Sequence, residues 1–215
     1  TPAGKLVLIR NAVDAGTFHP GLREEFGAAV RQQMGIPRDA TVFAFVGSGF
    51  ERKGVAPFLH ALARRREGAW AIIAGKDKRA GAYGRLSVRL GVAGRVRFVG
   101  GVSDVRPFLA AADAFVLPTL YDPFPNAALE AMAAGLPVVT STKCGAAEVV
   151  REGESGFVRD ALDIGGLAGC LDRLDPATAR RMGEAAREAV SPLTPEAMGR
   201  EYLALYERLL AGKLG

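Results

Sequence analysis

Only two cysteines, Cys144 and Cys170, occur in 215 residues. That scarcity excludes a disulfide scaffold and a cysteine-based zinc site. Histidine is equally sparse, with His19 and His60 alone. His60 falls in a helical segment with no second His or Cys ligand near it, which disfavours a metal role. His19, between Phe18 and Pro20, reads as a surface or packing residue. No apolar run approaches the ~20 residues of a membrane span. Lysine is rare too: of 28 basic residues 6 are Lys and 22 are Arg. With the abundance of Ala and Gly, this reads as a compositional habit of the source genome rather than a nucleic-acid footprint. The net charge of +5 keeps anionic lipid, nucleic acid and phosphorylated ligands open as partners. What is plentiful is apolar material, 49% of residues, enough for a substantial core and too much for disorder.

The chain opens at Thr1 with no initiator Met and no basic-then-apolar leader, and enters an apolar run (Leu6 to Ile9) almost at once. It therefore reads as a piece of a longer protein. Strand-like runs are expected at 5–10, 41–46, 70–74, 95–99, 114–118, 137–140 and 156–158. Helical patterns are expected at 21–34, 56–66, 83–90, 104–112 and 127–134, then at 164–174, 176–190 and 195–211 without intervening strands. The run TVFAFV at 41–46 is continuously apolar, as a buried parallel strand requires. Short connections carry Gly, Pro or Asp. The alternation predicts an α/β fold: a doubly wound, Rossmann-like parallel sheet with extra C-terminal helices, in a single domain over 1–215. In such a sheet, ligands bind beyond the carboxyl ends of the strands, so the loops after the strands carry the functional signal.

After TVFAFV comes Gly47-Ser48-Gly49-Phe50-Glu51-Arg52-Lys53-Gly54, then a helix. A strand, a glycine-rich turn and a helix start can cradle an anion on free backbone N–H groups. Arg52 stands where the third glycine of a dinucleotide fingerprint belongs, and no Lys-Ser/Thr pair completes a Walker A loop. Two adjacent cations remain, suited to neutralising a leaving diphosphate; a solvated turn with two surface charges is the plain alternative.

The run after 114–118 reads Thr119-Leu120-Tyr121-Asp122-Pro123-Phe124-Pro125-Asn126-Ala127-Ala128-Leu129-Glu130. Asn126 is a suitable N-cap and Gly135 a suitable stop. The amides of Ala127, Ala128 and Leu129 would then be unpaired at the positive end of the helix dipole. Asp122 and Glu130, flanking them, suit hydroxyls, since an ionised carboxylate only accepts hydrogen bonds. A sugar nucleotide has hydroxyls at both ends and a diphosphate between. The plainer reading leaves Glu130 as a dipole partner and Asp122 as a turn residue. A pair of glycoside-hydrolase carboxylates ranks lower, because two loops here look built for a diphosphate.

These residues also carry a family resemblance. The chain resembles the C-terminal, nucleotide-sugar-binding domain of retaining glycosyltransferases of family 4, which have the two-domain GT-B fold. The stretch Glu130-Ala-Met-Ala-Ala-Gly-Leu-Pro-Val-Val139 closely follows the tail of the family signature. Asn11-Ala12-Val13-Asp14 with Phe18 and Pro20 resembles its opening segment. GSGFERKGV (47–55) and AGKD (74–77) look most like the lipopolysaccharide core glucosyltransferases. The resemblance implies that Arg52 and Lys53 contact the donor diphosphate, and that Gly47, Ser48 and Gly49 let the backbone approach it. Asp122 would take the place of the first signature Glu, which contacts hydroxyls of the transferred sugar. Main-chain groups from Phe124 through Asn126, Ala127 and Ala128 would meet that sugar and the phosphates. Glu130 would bind the ribose, and Gly101-Val102 the base. Asp122 departs from the family Glu by one methylene, about 1.5 Å of reach.

The implied reaction moves a hexose from a nucleotide diphosphate sugar, UDP-glucose for the subfamily, to an acceptor hydroxyl in lipopolysaccharide or another surface glycan. No Asp-x-Asp pair occurs, so neither a metal nor another cofactor is expected. The glycan or glycolipid acceptor would bind an N-terminal domain absent from this chain, which alone should bind UDP or its sugar weakly and transfer little. A cytoplasmic location is expected, with no nucleic-acid partner. The Arg64-Arg65-Arg66 run reads as dipole complementation at a helix end, and leaves peripheral contact with the inner membrane face open. Glu148 either borders the donor sugar or serves as a helix-start carboxylate. Cys144 reads as a small buried residue that could line the pocket, Cys170 as core. A non-catalytic sugar-nucleotide module, or a GT-B epimerase or phosphorylase, is the alternative. Lys53, Lys76 and Lys143 lie near the cleft loops, with nothing to mark a cofactor lysine.

Overall fold

The computed structural model describes residues 6–212. Six strands, β1 (Thr41–Val46), β2 (Ala69–Ala74), β3 (Val96–Gly100), β4 (Ala114–Leu117), β5 (Val138–Ser141) and β6 (Gly156–Arg159), form one sheet in the order β3-β2-β1-β4-β5-β6. Every pairing is parallel. Consecutive residues of β1, β4 and β5 are buried, so both faces of the sheet are covered, as the continuous apolar runs require. The order reverses between β1 and β4, which makes their carboxyl ends the topological switch point of the fold.

The helices follow the expected positions: α1 (Ala28–Gln33, entered through a π-helical turn at Arg23–Gly27), α2 (Phe50–Lys53), α3 (Val55–Arg64), α4 (Ala80–Arg89), α5 (Arg106–Ala110), α6 (Asn126–Ala133), α7 (Ile164–Asp172), α8 (Pro176–Val190) and α9 (Pro195–Leu210). The side chains of Asp163, Asp175 and Thr194 cap the last three by accepting from first-turn amides. Gly135, at φ +81°, ends α6 in the left-handed conformation expected of a helix stop. No residue of α9 is buried, and Tyr202, Leu203, Tyr206, Leu209 and Leu210 are exposed along it. Among the described residues, no helix is long and apolar enough to cross a membrane.

Two expectations fail. The run at 5–10 is no strand over its described part, 6–10 (Lys5 lies outside the described residues): it joins no ladder, and Leu6, Val7 and Leu8 are exposed. Its end is fixed by side chains instead, Arg10 donating to Glu148 at 2.7 Å and Asn11 to the Phe124 carbonyl at 2.9 Å. The basic run is likewise not a uniform surface feature. Arg65 is buried; its guanidinium donates to the Leu171 carbonyl at 3.1 Å and to the Glu67 carbonyl at 2.8 Å. Only Arg64 and Arg66 of the three are exposed.

At the amino ends of the strands, the buried carboxylate of Asp113 accepts from Arg23 at 2.6 Å, Arg31 at 3.0 Å and the Val42 amide at 2.8 Å. Removing one member of such a set leaves a dry charge unpaired. Asp113→Asn is therefore expected to lower unfolding free energy by about 3–5 kcal/mol, read from urea titration. A loss under ~1 kcal/mol would show the set to be ordinary surface pairing.

Candidate functional site

The glycine loop leaves β1 at the switch point, and contacts to the neighbouring strands fix its shape. The Gly47 amide donates to the Ala74 carbonyl at 2.9 Å and the Gly49 amide to the Lys76 carbonyl at 3.2 Å. The Ser48 hydroxyl accepts from the Lys76 amide at 3.0 Å, and Asp77 accepts from the Phe50 amide at 2.7 Å. This corrects the expectation of a loop of free amides: those of Gly47, Gly49 and Phe50 are spent on the last residue of β2 and the chain after it. The turn is also more structured than expected, since Phe50–Lys53 forms the short helix α2, which places Arg52 and Lys53 on its last turn.

Gly54 then lets this segment close on the end of β4. A Cβ there would lie 1.9 Å from the Pro118 carbonyl oxygen, and the residue sits at φ +82°. The Arg52 carbonyl accepts from the Leu120 amide at 2.8 Å and from the Thr119 hydroxyl at 2.8 Å. The Arg52 guanidinium donates to the Tyr121 carbonyl at 2.7 Å. The loops after β1 and β4 therefore share one crevice.

Asp122 sits in that crevice, buried, and its Oδ2 accepts from Lys53 Nζ and from Arg52 Nη1, the latter at 3.3 Å. The Asp122 and Lys53 side chains are only 8% and 12% exposed, against 51% for Arg52. Asp122 thus faces the two cations, where its shorter reach than Glu suits a neighbour on the adjoining loop. The ion pair at Oδ2 is not anticipated from the sequence. The Asp122 backbone is clamped on both sides: the amide donates to the Lys143 carbonyl at 3.1 Å, and its carbonyl accepts from Gly145 at 2.8 Å.

The start of α6 also differs from expectation. Asn126 is the first helical residue, not the N-cap; Pro125 holds the cap position, with no side-chain cap bond. The Asn126 Oδ1 instead accepts from Asn11 at 2.9 Å. The Ala128 amide is not free either, since it donates to the Pro125 carbonyl at 3.2 Å. Ala128 is fully buried, Ala127 half-buried, and Phe124 packs against the core. Val102 lies in the half-buried turn after β3. Glu130 lies one helical turn past Asn126 on the same side of α6, half-buried. Among the described residues its carboxylate has no hydrogen-bond or ion-pair partner, and burial pushes its pKa up.

Three further residues shape the site without having been assigned roles from sequence. Asp77 ties the loops after β1 and β2 together. Lys76 lays its aliphatic chain over Gly101, where a Cβ would meet it at 2.2 Å. Asn11 bridges the chain's opening segment to the start of α6. Glu148 is committed to Arg10, and Cys144 is buried, with its thiol pKa pushed up by desolvation. Cys170 is buried in α7. A cavity of about 710 Å³ lined by Pro20, Arg23, Asp113, Gly135, Gly183 and Arg187 opens at the opposite, amino ends of β4 and β5, and shares no residue with this crevice.

Glycosyl transferases group 1 match residues 27–189 of the chain. The lipopolysaccharide core biosynthesis glycosyltransferase LpsE of Rhizobium meliloti (strain 1021) is 35% identical over 181 residues, covering 83% of this chain and 53% of LpsE. The lipopolysaccharide glucosyltransferase WaaG of Escherichia coli (strain K12) is 36% identical over 132 residues, covering 60% of this chain and 35% of WaaG. A crystal structure of WaaG superposes at TM-score 0.76 and 28% identity over 90% of this chain and 55% of that one. A sucrose-phosphate synthase from Thermosynechococcus elongatus superposes at TM-score 0.82 and 30% identity, over 96% and 53%. The chain thus spans about half the length of the LpsE relative and of these two solved structures.

The raised Glu130 carboxyl makes a signed prediction. Between its unfolded and folded pKa values the folded chain holds a proton that the unfolded chain has released, so its stabilising contribution is present at acid pH and lost as pH rises through the folded value. Glu130→Gln carries no charge to desolvate. Relative to the unsubstituted chain, its urea midpoint is expected to improve from about pH 4 to about pH 7.5. A pH-independent difference would remove the desolvation argument.

Proposed function

The chain belongs to the glycosyl transferases group 1 family, and on that premise we propose that it is the donor-binding lobe of a metal-independent, retaining hexosyltransferase. The donor is a UDP-sugar, UDP-glucose in the first instance, and the product a lipopolysaccharide or related surface glycan. The observation that carries this reading is the meeting of Arg52, Lys53 and Asp122 at the switch point between β1 and β4, where an open parallel sheet binds its ligand. The names of the LpsE and WaaG relatives favour the glycan class.

In this reading the diphosphate lies over the crevice, with the half-exposed Arg52 guanidinium and the Lys53 ammonium meeting the charge that builds on it as the glycosidic bond breaks. Such preorganised cations act without reorganising water, and two of them supply what a divalent ion would otherwise supply. Glu130, the unpartnered carboxylate on α6, accepts from the ribose hydroxyls. Main-chain groups around Phe124, Asn126 and Ala127 face the sugar, those of Val102 the base. The acceptor sits on a second lobe, as the half-length coverage of the relatives suggests, so this chain alone transfers little. A cytoplasmic location belongs to the same reading, with Arg64 and Arg66 as the exposed cations for any peripheral membrane contact.

Calorimetry against UDP, GDP and ADP, then UDP-glucose, tests it. UDP and UDP-glucose are expected to bind, and Arg52→Ala to weaken both by about tenfold or more, the scale of a lost charge-assisted bond. Absence of binding by every nucleoside diphosphate would overturn the donor-site reading; robust sugar transfer by the chain alone would overturn the division of labour between lobes.

A further inference from the structure

Lys53 and Arg52 are paired with a carboxylate of the chain itself, and that pairing bears on donor binding. Lys53 is 12% exposed, so its ammonium is largely removed from water. A dry ammonium without an anion is costly, and here Asp122 Oδ2 supplies the anion. We propose that Asp122 is a placeholder counter-ion: it holds Lys53 while the site is empty, and the diphosphate of an arriving nucleotide takes the ammonium over. This rests on the donor-site reading above and adds to it a competition inside the site.

The geometry decides which partner moves. Asp122 is pinned through its own amide to the Lys143 carbonyl at 3.1 Å and through its carbonyl to the Gly145 amide at 2.8 Å. Pro123 follows it with a fixed φ. Gly145 is pressed so closely that a Cβ would fall 1.6 Å from the Pro123 carbonyl oxygen. The Asp122 backbone is therefore fixed, and its short side chain has only two rotatable bonds with which to follow a moving partner. Lys53 sits on the last turn of α2 with four methylenes of freedom, and is the partner that can swing. Arg52 contributes less to the pair: its bond to Asp122 is long, 3.3 Å, its guanidinium also donates to the Tyr121 carbonyl at 2.7 Å, and its side chain is half in water. The exchange thus transfers Lys53, with Arg52, from one carboxylate to a more highly charged phosphate group. Asp122 Oδ1 accepts no hydrogen bond from the described residues, so this carboxylate, once it loses Lys53, has both oxygens available to a hydroxyl of the bound sugar.

The competition has a sign. Asp122 is a like charge beside the incoming diphosphate, and it also stabilises Lys53 in the empty state. Both effects oppose diphosphate binding. Asp122→Asn keeps the shape and removes the charge, so it should bind UDP and inorganic pyrophosphate about three- to tenfold more tightly than the unsubstituted chain, with uridine unchanged. Lys53→Met should weaken UDP more in the Asp122→Asn background than in the unsubstituted one, because in the latter part of the lysine's gain is offset by the bond it gives up. Should Asp122→Asn fail to fold, a crystal structure of the unsubstituted chain with UDP gives the same decision. Lys53 Nζ on a phosphate oxygen and off Asp122 supports the exchange; Lys53 still on Asp122, with the diphosphate held by Arg52 alone, overturns it. UDP binding by the unsubstituted chain without tightening in Asp122→Asn removes the exchange and leaves the donor site standing. If the unsubstituted chain binds neither UDP nor pyrophosphate, the donor site falls and the exchange with it.

Discussion

The Arg52 carbonyl, accepting at once from the Leu120 amide and the Thr119 hydroxyl, joins the loop after β1 to the loop after β4. Everything at the crevice depends on that junction. It needs Gly54, because any side chain there would run into the Pro118 carbonyl. Bringing the two backbones together also brings together Asp122, on one loop, and Lys53 and Arg52, on the other. The electrostatic character of the site is therefore a by-product of main-chain contact at the one place in the sheet where the strand order reverses.

The two ends of the sheet treat their charges differently. At the amino ends, Asp113 has three donors, and its two arginines spread their remaining N–H groups over the Ala111, Ala112, Arg38 and Ala40 carbonyls. That network ties α1 and the turn before it to the amino ends of β1 and β4, and leaves the Arg23 side chain 43% exposed. At the carboxyl ends, by contrast, the half-buried Glu130 carboxylate has no partner among the described residues. Groups left short of partners in a folded chain mark where a ligand can complete them. The contrast supports the donor site proposed at the carboxyl ends.

The sheet was legible in the sequence because its signal is local. Six of the seven expected strands are apolar runs bounded by Gly, Pro or Asp, and both faces of such a sheet demand apolar residues. The seventh, at 6–10, has the same local signal and no ladder; composition cannot say whether a neighbour exists to pair with. The candidate site residues were read from the same local signal, since strand, glycine turn and helix start follow one another in the chain. What escaped was the state of the donors. The amides of Gly47 and Gly49 donate to the Ala74 and Lys76 carbonyls, and the Asn126 side-chain oxygen, read as a cap acceptor, accepts from Asn11 instead. These partners are remote in sequence, and no local rule reports them. The pairing of Asp122 with Lys53 is of the same kind.

That pairing bears on why an Asp, rather than the longer Glu the family resemblance implies, suits position 122. A carboxylate whose task is to reach a sugar hydroxyl directly gains from the extra methylene of Glu. A carboxylate that must also neutralise a neighbouring ammonium is constrained from the other side, by the distance between two loops already fixed at Arg52 and Leu120. With its backbone clamped between Lys143 and Gly145, Asp122 satisfies the second constraint with little slack. The short side chain of Asp122 thus fits the spacing of the two loops that carry it and Lys53, and in the proposed donor complex the sugar would approach this carboxylate.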